Sequence, residues 1–150
     1  MRYKKTFIII GILIIAILLI IIFQKQFNNN YKKICIEDKK CFEIELADTP
    51  EERVSGLSNR KILEKNSSML FVFEDEKITG FWMKDMKFSI DIIWINKNME
   101  ITGIEKSLEP CTENSCPAFY PEEKIKYVLE INSGISEEFG FEKGDIIYLK

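Results

Sequence analysis

Met69-Leu70-Phe71-Val72-Phe73 is an unbroken apolar run, closed by the charged stretch Glu74-Asp75-Glu76-Lys77 and followed by a second apolar stretch, Ile78 to Met83. A short run of this kind bounded by a polar turn reads as a buried strand, with Ile78 to Met83 as its return strand. The same grammar repeats downstream. Ile90 to Ile95 and Glu100 to Ile104 flank Asn96-Lys97-Asn98, a hairpin signal, and Ile125 to Ile131 and Ile146 to Leu149 supply two further strands. Upstream, Phe42-Glu43-Ile44-Glu45-Leu46 alternates strictly, as a half-buried strand does. Roughly seven short strands, with turns about every eight to twelve residues, point to a β sandwich or barrel.

Helical signals are few. Thr49-Pro50-Glu51-Glu52 combines an N-cap threonine, proline at the first helical position and glutamate at the third, a full capping box, so a short helix should start at Pro50 and end near Gly56 or Asn59. A second short piece is expected around Lys61 to Lys65, and a helical turn near Ser136 to Phe139. The fold class is therefore mostly β: one compact sandwich- or barrel-like domain with one or two short helices.

The amino-terminal segment is of another kind. Phe7 to Phe23 reads FIIIGILIIAILLIIIF, with no charged or hydrogen-bonding side chain. As a helix it would span about 26 Å, close to the hydrocarbon thickness of a bilayer. A surface helix would carry a polar stripe, and a cleaved signal peptide would end in small residues before the cut. The run instead gives way to Gln24-Lys25-Gln26-Phe27-Asn28, so one N-terminal transmembrane helix, an uncleaved signal anchor, is the expectation. Arg2, Lys4 and Lys5 crowd its amino side, while Lys25, Lys32 and Lys33 follow it; nearness to the span and the free amine favour a cytoplasmic amino terminus. The organisation expected is residues 1–6 in the cytoplasm, an anchor over 7–23, a polar spacer over 24–33 and an extracytoplasmic domain over 34–150.

Residues 24–150 hold 18 Lys+Arg and 24 Asp+Glu, a formal charge of −6. With no basic cluster beyond short pairs, nucleic acid is not an expected partner. The chain has no histidine, which removes Ser-His and Cys-His nucleophile activation and HExxH zinc sites. Gly134, Gly140 and Gly144 follow no phosphate-loop or dinucleotide spacing, so no cofactor is expected.

All four cysteines follow the apolar run, in two close pairs. Cys35 and Cys41 bracket a polar turn between apolar stretches; Cys111 and Cys116 close a loop flanked by Pro110 and Pro117. Local pairing, 35–41 and 111–116, is the least demanding of the three connectivities, and an oxidising compartment permits it. A four-cysteine zinc site is the alternative, but these gaps are wider than its usual knuckle and no histidine can help. Disulfides are favoured over metal or redox chemistry.

Taken in order, Ala47-Asp48-Thr49-Pro50-Glu51-Glu52-Arg53, Gly56-Leu57, Met69 to Phe73, Phe81-Trp82-Met83-Lys84, Asp91-Ile92, the loop Pro110 to Pro117, Val128 to Gly134 and Gly144-Asp145 resemble the DUF192 family, also called UPF0127. The resemblance covers roughly residues 42 to 150. It departs at Ser58, Ser68, Asp85-Met86 and Ser89, where the family often has Met, Gly, Asn-Thr and Pro. It implies a compact, mostly β domain, often preceded by a signal peptide or anchor, and no particular reaction.

Polar positions in those blocks suggest a site. Trp82 and Lys84, two apart on one strand, share a face, and Gly80 leaves that face open. Asp91 heads the next strand and Arg53 sits on the capped helix. One aromatic plate, two cations and one carboxylate suit a small anionic or sugar-like ligand. The bland reading is an Arg53–Asp91 salt bridge joining helix to sheet, with Trp82 in the core. A ligand- or partner-binding accessory module of the cell envelope is thus the leading expectation, its partner a small ligand or an envelope protein. The alternative is a histidine-independent hydrolase or transferase using carboxylate or lysine chemistry, with Asp85 or Asp91 buried beside Lys84.

Overall fold

In the computed structural model, residues 32–111 and 115–150 are described, with Gly11, Leu13–Ile15 and Leu18 from the amino-terminal segment. The chain divides into two units, Met1–Lys32 and Lys33–Lys150. Those five residues of the expected span are helical, and no helix among the described residues is long and apolar enough to cross a membrane. The rest of the span 7–23, residues 1–6 and most of the spacer 24–33 lie outside the described residues.

The second unit runs β1 (Lys33–Ile36), β2 (Lys40–Ala47), α1 (Pro50–Ser55), β3 (Ser67–Lys77), β4 (Phe81–Trp82), β5 (Ile90–Ile95), β6 (Ile101–Leu108), β7 (Ala118–Phe119), β8 (Ile125–Asn132), α2 (Ile135–Glu138) and β9 (Ile147–Leu149). Seven strands make one sheet in the order β6-β5-β8-β3-β2-β1-β9, and β4 pairs with β7. Every pairing is antiparallel except β2 with β3, which the excursion through α1 makes parallel. The large sheet curls until its ends meet. Ile101 N donates to the Asp145 carbonyl (3.0 Å), Gly144 N to Ile101 O (2.9 Å) and Ile147 N to Met99 O (2.8 Å). The result is a curled half-barrel rather than two stacked sheets.

Strand alternation gives each face its own core. Ile93 and Ile95 of β5 join Ile34 and Ile36 of β1, Ile101 of β6 and Ile147 of β9 in one cluster. Residues from the sheet's opposite ends can share a cluster only on the inside of the curl, so this is the concave core. Ile90, Ile92 and Trp94 point the other way, to a second core with Phe71, Phe73 and Val128, covered by Leu57, Leu63, Met83 and Met86. With both faces covered, all of β5 is buried. Each such Ile or Phe contributes roughly 1.5–3 kcal/mol by leaving water.

Three local expectations fail. The charged run Glu74 to Lys77 is not a turn: it extends β3 beyond a register shift between Val72 and Lys77, where Glu74 and Asp75 meet solvent. Its polarity marks exposure, not reversal. Ile78 to Met83 accordingly does not pair back on β3; only Phe81 and Trp82 form a strand, against β7. Lys61 to Lys65 is not helical, because the Leu63 and Glu64 carbonyls turn to the Asn132 side-chain amide at 3.0 and 3.2 Å.

Candidate functional site

A cleft of about 390 Å³ opens between α1, the end of β3 and the Thr79–Trp82 segment. Its roof is set by local chemistry. Thr49 Oγ1 accepts from Glu52 N at 3.2 Å and Glu52 Oε2 accepts from Thr49 N at 3.1 Å, closing the capping box. Those bonds hold the Glu52 carboxyl below its usual range. No residue of α1 is buried, so the helix has no core face of its own. It is held by its cap and by Arg53, whose Nη1 donates to the Asp48 carbonyl and, at 2.8 Å, to the Val72 carbonyl. Gly56 ends the helix at φ +47°, and a Cβ there would stand 3.3 Å from the Phe71 ring. Glycine therefore serves twice, in conformation and in close approach.

The floor holds Glu130. This residue sits in β8, opposite Met69 of β3 and Ile92 of β5, and shares the face of Val128. It is 5% exposed, and its carboxyl has no hydrogen bond or ion pair among the described residues. Burial pushes its pKa up to about 8, outweighing the pull of Arg60 in the other direction. The cleft is thus floored by a carboxylic acid that holds its proton at neutral pH. An acid in the middle of Val128-Leu129-Glu130-Ile131, an otherwise apolar central strand, was the available sequence signal.

The four residues singled out from the sequence separate into two groups. Arg53 and Trp82 both line the cleft. Trp82 is 54% exposed at the rim, so it is not core. Lys84 lies just beyond, its ammonium 5.9 Å from the Trp82 ring and outside the lining. Gly80 does not leave the face open: a Cβ there would meet the Tyr120 ring at 2.8 Å. Asp91 is fully buried elsewhere. Its carboxylate accepts from Ser107 N (2.8 Å), Gly134 N (3.1 Å), Ser136 N (2.9 Å) and Ser136 Oγ (2.6 Å), holding the start of α2.

No Arg53–Asp91 bridge forms, and strand parity explains why. Asp91 alternates with Ile90 and Ile92 and so shares the concave side with Ile93, whereas Arg53 lies over the opposite face. Asp85 is exposed, at φ +60°, and neither aspartate is buried beside Lys84. The second cation and the carboxylate of the cleft come from Lys77 and Glu130 instead. Lys77 Nζ stands 4.3 Å from the centre of the Phe73 ring and the Arg53 guanidinium 5.4 Å. Neither cation has an acidic partner among the described residues.

Both cysteine pairs are disulfides, Cys35–Cys41 and Cys111–Cys116, so no thiolate is left to hold zinc. Cys35 and Cys41 face each other across the β1–β2 hairpin. Among the described residues no group of three His, Cys, Asp or Glu side chains could hold a metal ion.

Fold and cleft together define a class: a curled, mostly antiparallel β domain with an acid-floored cleft under a short capped helix. The chain belongs to the DUF192 family, described as Uncharacterized ACR, whose family model matches residues 32–149. A solved protein of unknown function from Novosphingobium aromaticivorans is similar, with 24% identity, TM-score 0.72, and coverage of 77% of this chain and 83% of that one. Another, from Sinorhizobium meliloti and described as a candidate transcription regulator, shares 26% identity at TM-score 0.70, covering 78% of this chain and 90% of that one. No curated protein matches the chain.

Proposed function

We propose that this protein is a membrane-anchored, extracytoplasmic binding module of the cell envelope that holds a small ligand in the cleft beneath α1. The observation that carries the binding reading is Glu130, a buried residue whose carboxyl lines an open cleft with no hydrogen-bond partner among the described residues. A carboxyl that faces a cleft instead of a protein partner keeps its donor and acceptor positions open to a ligand. The anchor reading rests on the apolar run 7–23, and the outward placement on two disulfides, which persist in oxidising compartments. The acidic balance of residues 24–150 weighs against DNA as the partner.

The test of binding is a melting-temperature screen of the full-length protein against small polar metabolites. Ligands of the cleft raise the melting temperature of the wild type and lose that effect in Glu130→Gln and Lys77→Ala. A set of hits indifferent to both substitutions would place binding elsewhere. The anchor is tested by alkaline carbonate extraction of membranes, which leaves a spanning protein in the pellet and releases a peripheral one.

A second reading, a histidine-independent hydrolase or transferase, is favoured by the same residue. A carboxyl that holds its proton at neutral pH can act as a general acid. Acid catalysis also needs a base or nucleophile poised near it, and no described side chain is hydrogen-bonded to Glu130. Binding without turnover is therefore the better-supported function.

A further inference from the structure

We infer that the ligand of this cleft is a small organic anion with an apolar ring, its negative group at the mouth against Arg53 and Lys77 and its ring lying among Phe73, Phe81 and Trp82. This rests on the reading of the cleft as a binding site and adds the chemical class of what fills it. Charge complementarity carries the inference. The two cations both stand over the Phe73 ring, at 5.4 and 4.3 Å from its centre, and neither is neutralised by an acid among the described residues, although the domain carries an excess of acids. One Arg53 nitrogen is spent on the carbonyls of Asp48 and Val72, which fixes the guanidinium and leaves its other donors for a ligand.

The ring follows from the walls. Phe81 stands edge-on to Phe71 at 4.9 Å and to Phe73 at 6.4 Å between ring centres, and Trp82 completes the rim half exposed. Such surfaces accept a flat apolar body by offset or edge contacts. The floor decides against a cationic ligand. A proton-bearing Glu130 offers a hydrogen bond and no charge, whereas Arg53 and Lys77 repel a cation at the entrance.

The same floor makes affinity depend on pH. Arg60 is the charged group that acts on Glu130, lowering its pKa; Met69 of β3 and Ile92 of β5 flank it in the sheet, and Arg53 and Lys77 share the cleft lining with it. With no histidine in the chain and every cysteine bridged, Glu130 is the lining group whose charge changes between about pH 6 and 9. An ionised floor repels an anion, so binding weakens as pH rises through this window.

The experiment titrates the full-length protein with three probes of one benzyl body: phenylacetate, benzyl alcohol and benzyltrimethylammonium. Binding is read from the emission of Trp82, with Trp82→Phe assigning the signal against the buried Trp94. Phenylacetate is expected to bind about tenfold or more tighter than the other two, and to lose that preference in Lys77→Ala. Its affinity should fall on the order of tenfold from about pH 6 to about pH 9 in the wild type and stay flat in Glu130→Gln. Equal or tighter binding of the alcohol or the cation, or a pH profile retained in Glu130→Gln, overturns the anion class while leaving the cleft as a binding site. Silence from all three probes at Trp82 overturns the ring-bearing anion and removes the support for the cleft itself.

Discussion

Two buried acids in neighbouring strands show how a single side chain acquires its role. Asp91 accepts four hydrogen bonds from the Ser107 and Gly134–Ser136 segments, and Glu130 accepts none among the described residues. Removing the Asp91 carboxylate strands three backbone N–H groups, so Asp91→Ala is expected to cost about 3 kcal/mol or more in urea unfolding. A ligand-contacting aspartate would instead tolerate the change in stability. Glu130 has the opposite signature. Its proton is held to about 8 in the folded chain and lost near 4.5 when unfolded. Between those values the unfolded chain binds fewer protons, so raising the pH through this window removes stability; below it both states are protonated and nothing changes. The loss amounts to on the order of 4–5 kcal/mol across the window. Glu130→Gln lacks this descending limb, and the gap in melting temperature between variant and wild type should widen in its favour from about pH 5 to pH 8. Parallel profiles would contradict a protonated floor. The polar positions of the motif blocks put one carboxylate, two cations and a tryptophan together, but named Asp91 and Lys84 where the cleft lining holds Glu130 and Lys77. Whether a residue of β5 faces the helix side or the inside of the curl depends on strand parity, and motif order does not carry that information.

At the scale of elements, chemistry written within a few residues survived into the structure. The Thr49–Glu52 capping box, the β5–β6 hairpin around Asn96 to Asn98 and the cysteine-bracketed turn of β1 and β2 form where their sequences indicate. Elements that depend on distant chain did not reveal themselves. β3 lies parallel to β2 after the excursion through α1, and β4 pairs with β7, some 36 residues away, in a sheet of their own. The capping box has a function beyond starting a helix, because α1 buries no residue and its cap positions Arg53 over the cleft. Thr49→Ala is expected to cost about 1 kcal/mol and to fray the helix. Amide exchange should quicken at Arg53 and Gly56, whose N–H groups bond to Thr49 and Glu52, and remain slow in β5 and β8. Quickening across the whole sheet would mean that α1 is instead a keystone of the fold. Glu52, held below its usual carboxyl range by the cap, adds stability that is present above its unfolded value and lost as pH falls through its folded one.

For the molecule as a whole, closure of the curl and shape of the cleft are secured by different staples. Lys39, in the turn tied by Cys35–Cys41, binds the Asp145 carboxylate at 2.6 and 2.7 Å and the Gly140 carbonyl at 2.9 Å. Those contacts lock the first hairpin to the segment that closes the half-barrel, and the Asp145 hydrogen bond holds the Lys39 ammonium above its ordinary pKa. Cys111–Cys116 belongs to the segment packed against the helix-side core. Cys111 N donates to the Met83 carbonyl at 3.0 Å, next to Trp82, and Cys111 packs against the core beneath the cleft. The two bridges close loops of six and five residues of separation, so loop entropy assigns each about 2 kcal/mol. Their consequences should nonetheless differ. Replacing Cys35 and Cys41 with alanine lowers stability and speeds exchange at the Ile101 and Ile147 amides that join the sheet's ends, while Trp82 emission stays unchanged. Replacing Cys111 and Cys116 lowers stability by a similar amount but shifts Trp82 emission, because the segment carrying the rim tryptophan loses its tether. If both double variants leave Trp82 alone, the cysteine loop is no part of the cleft's wall; if both disturb it, closure of the curl and shape of the cleft are one cooperative unit rather than two.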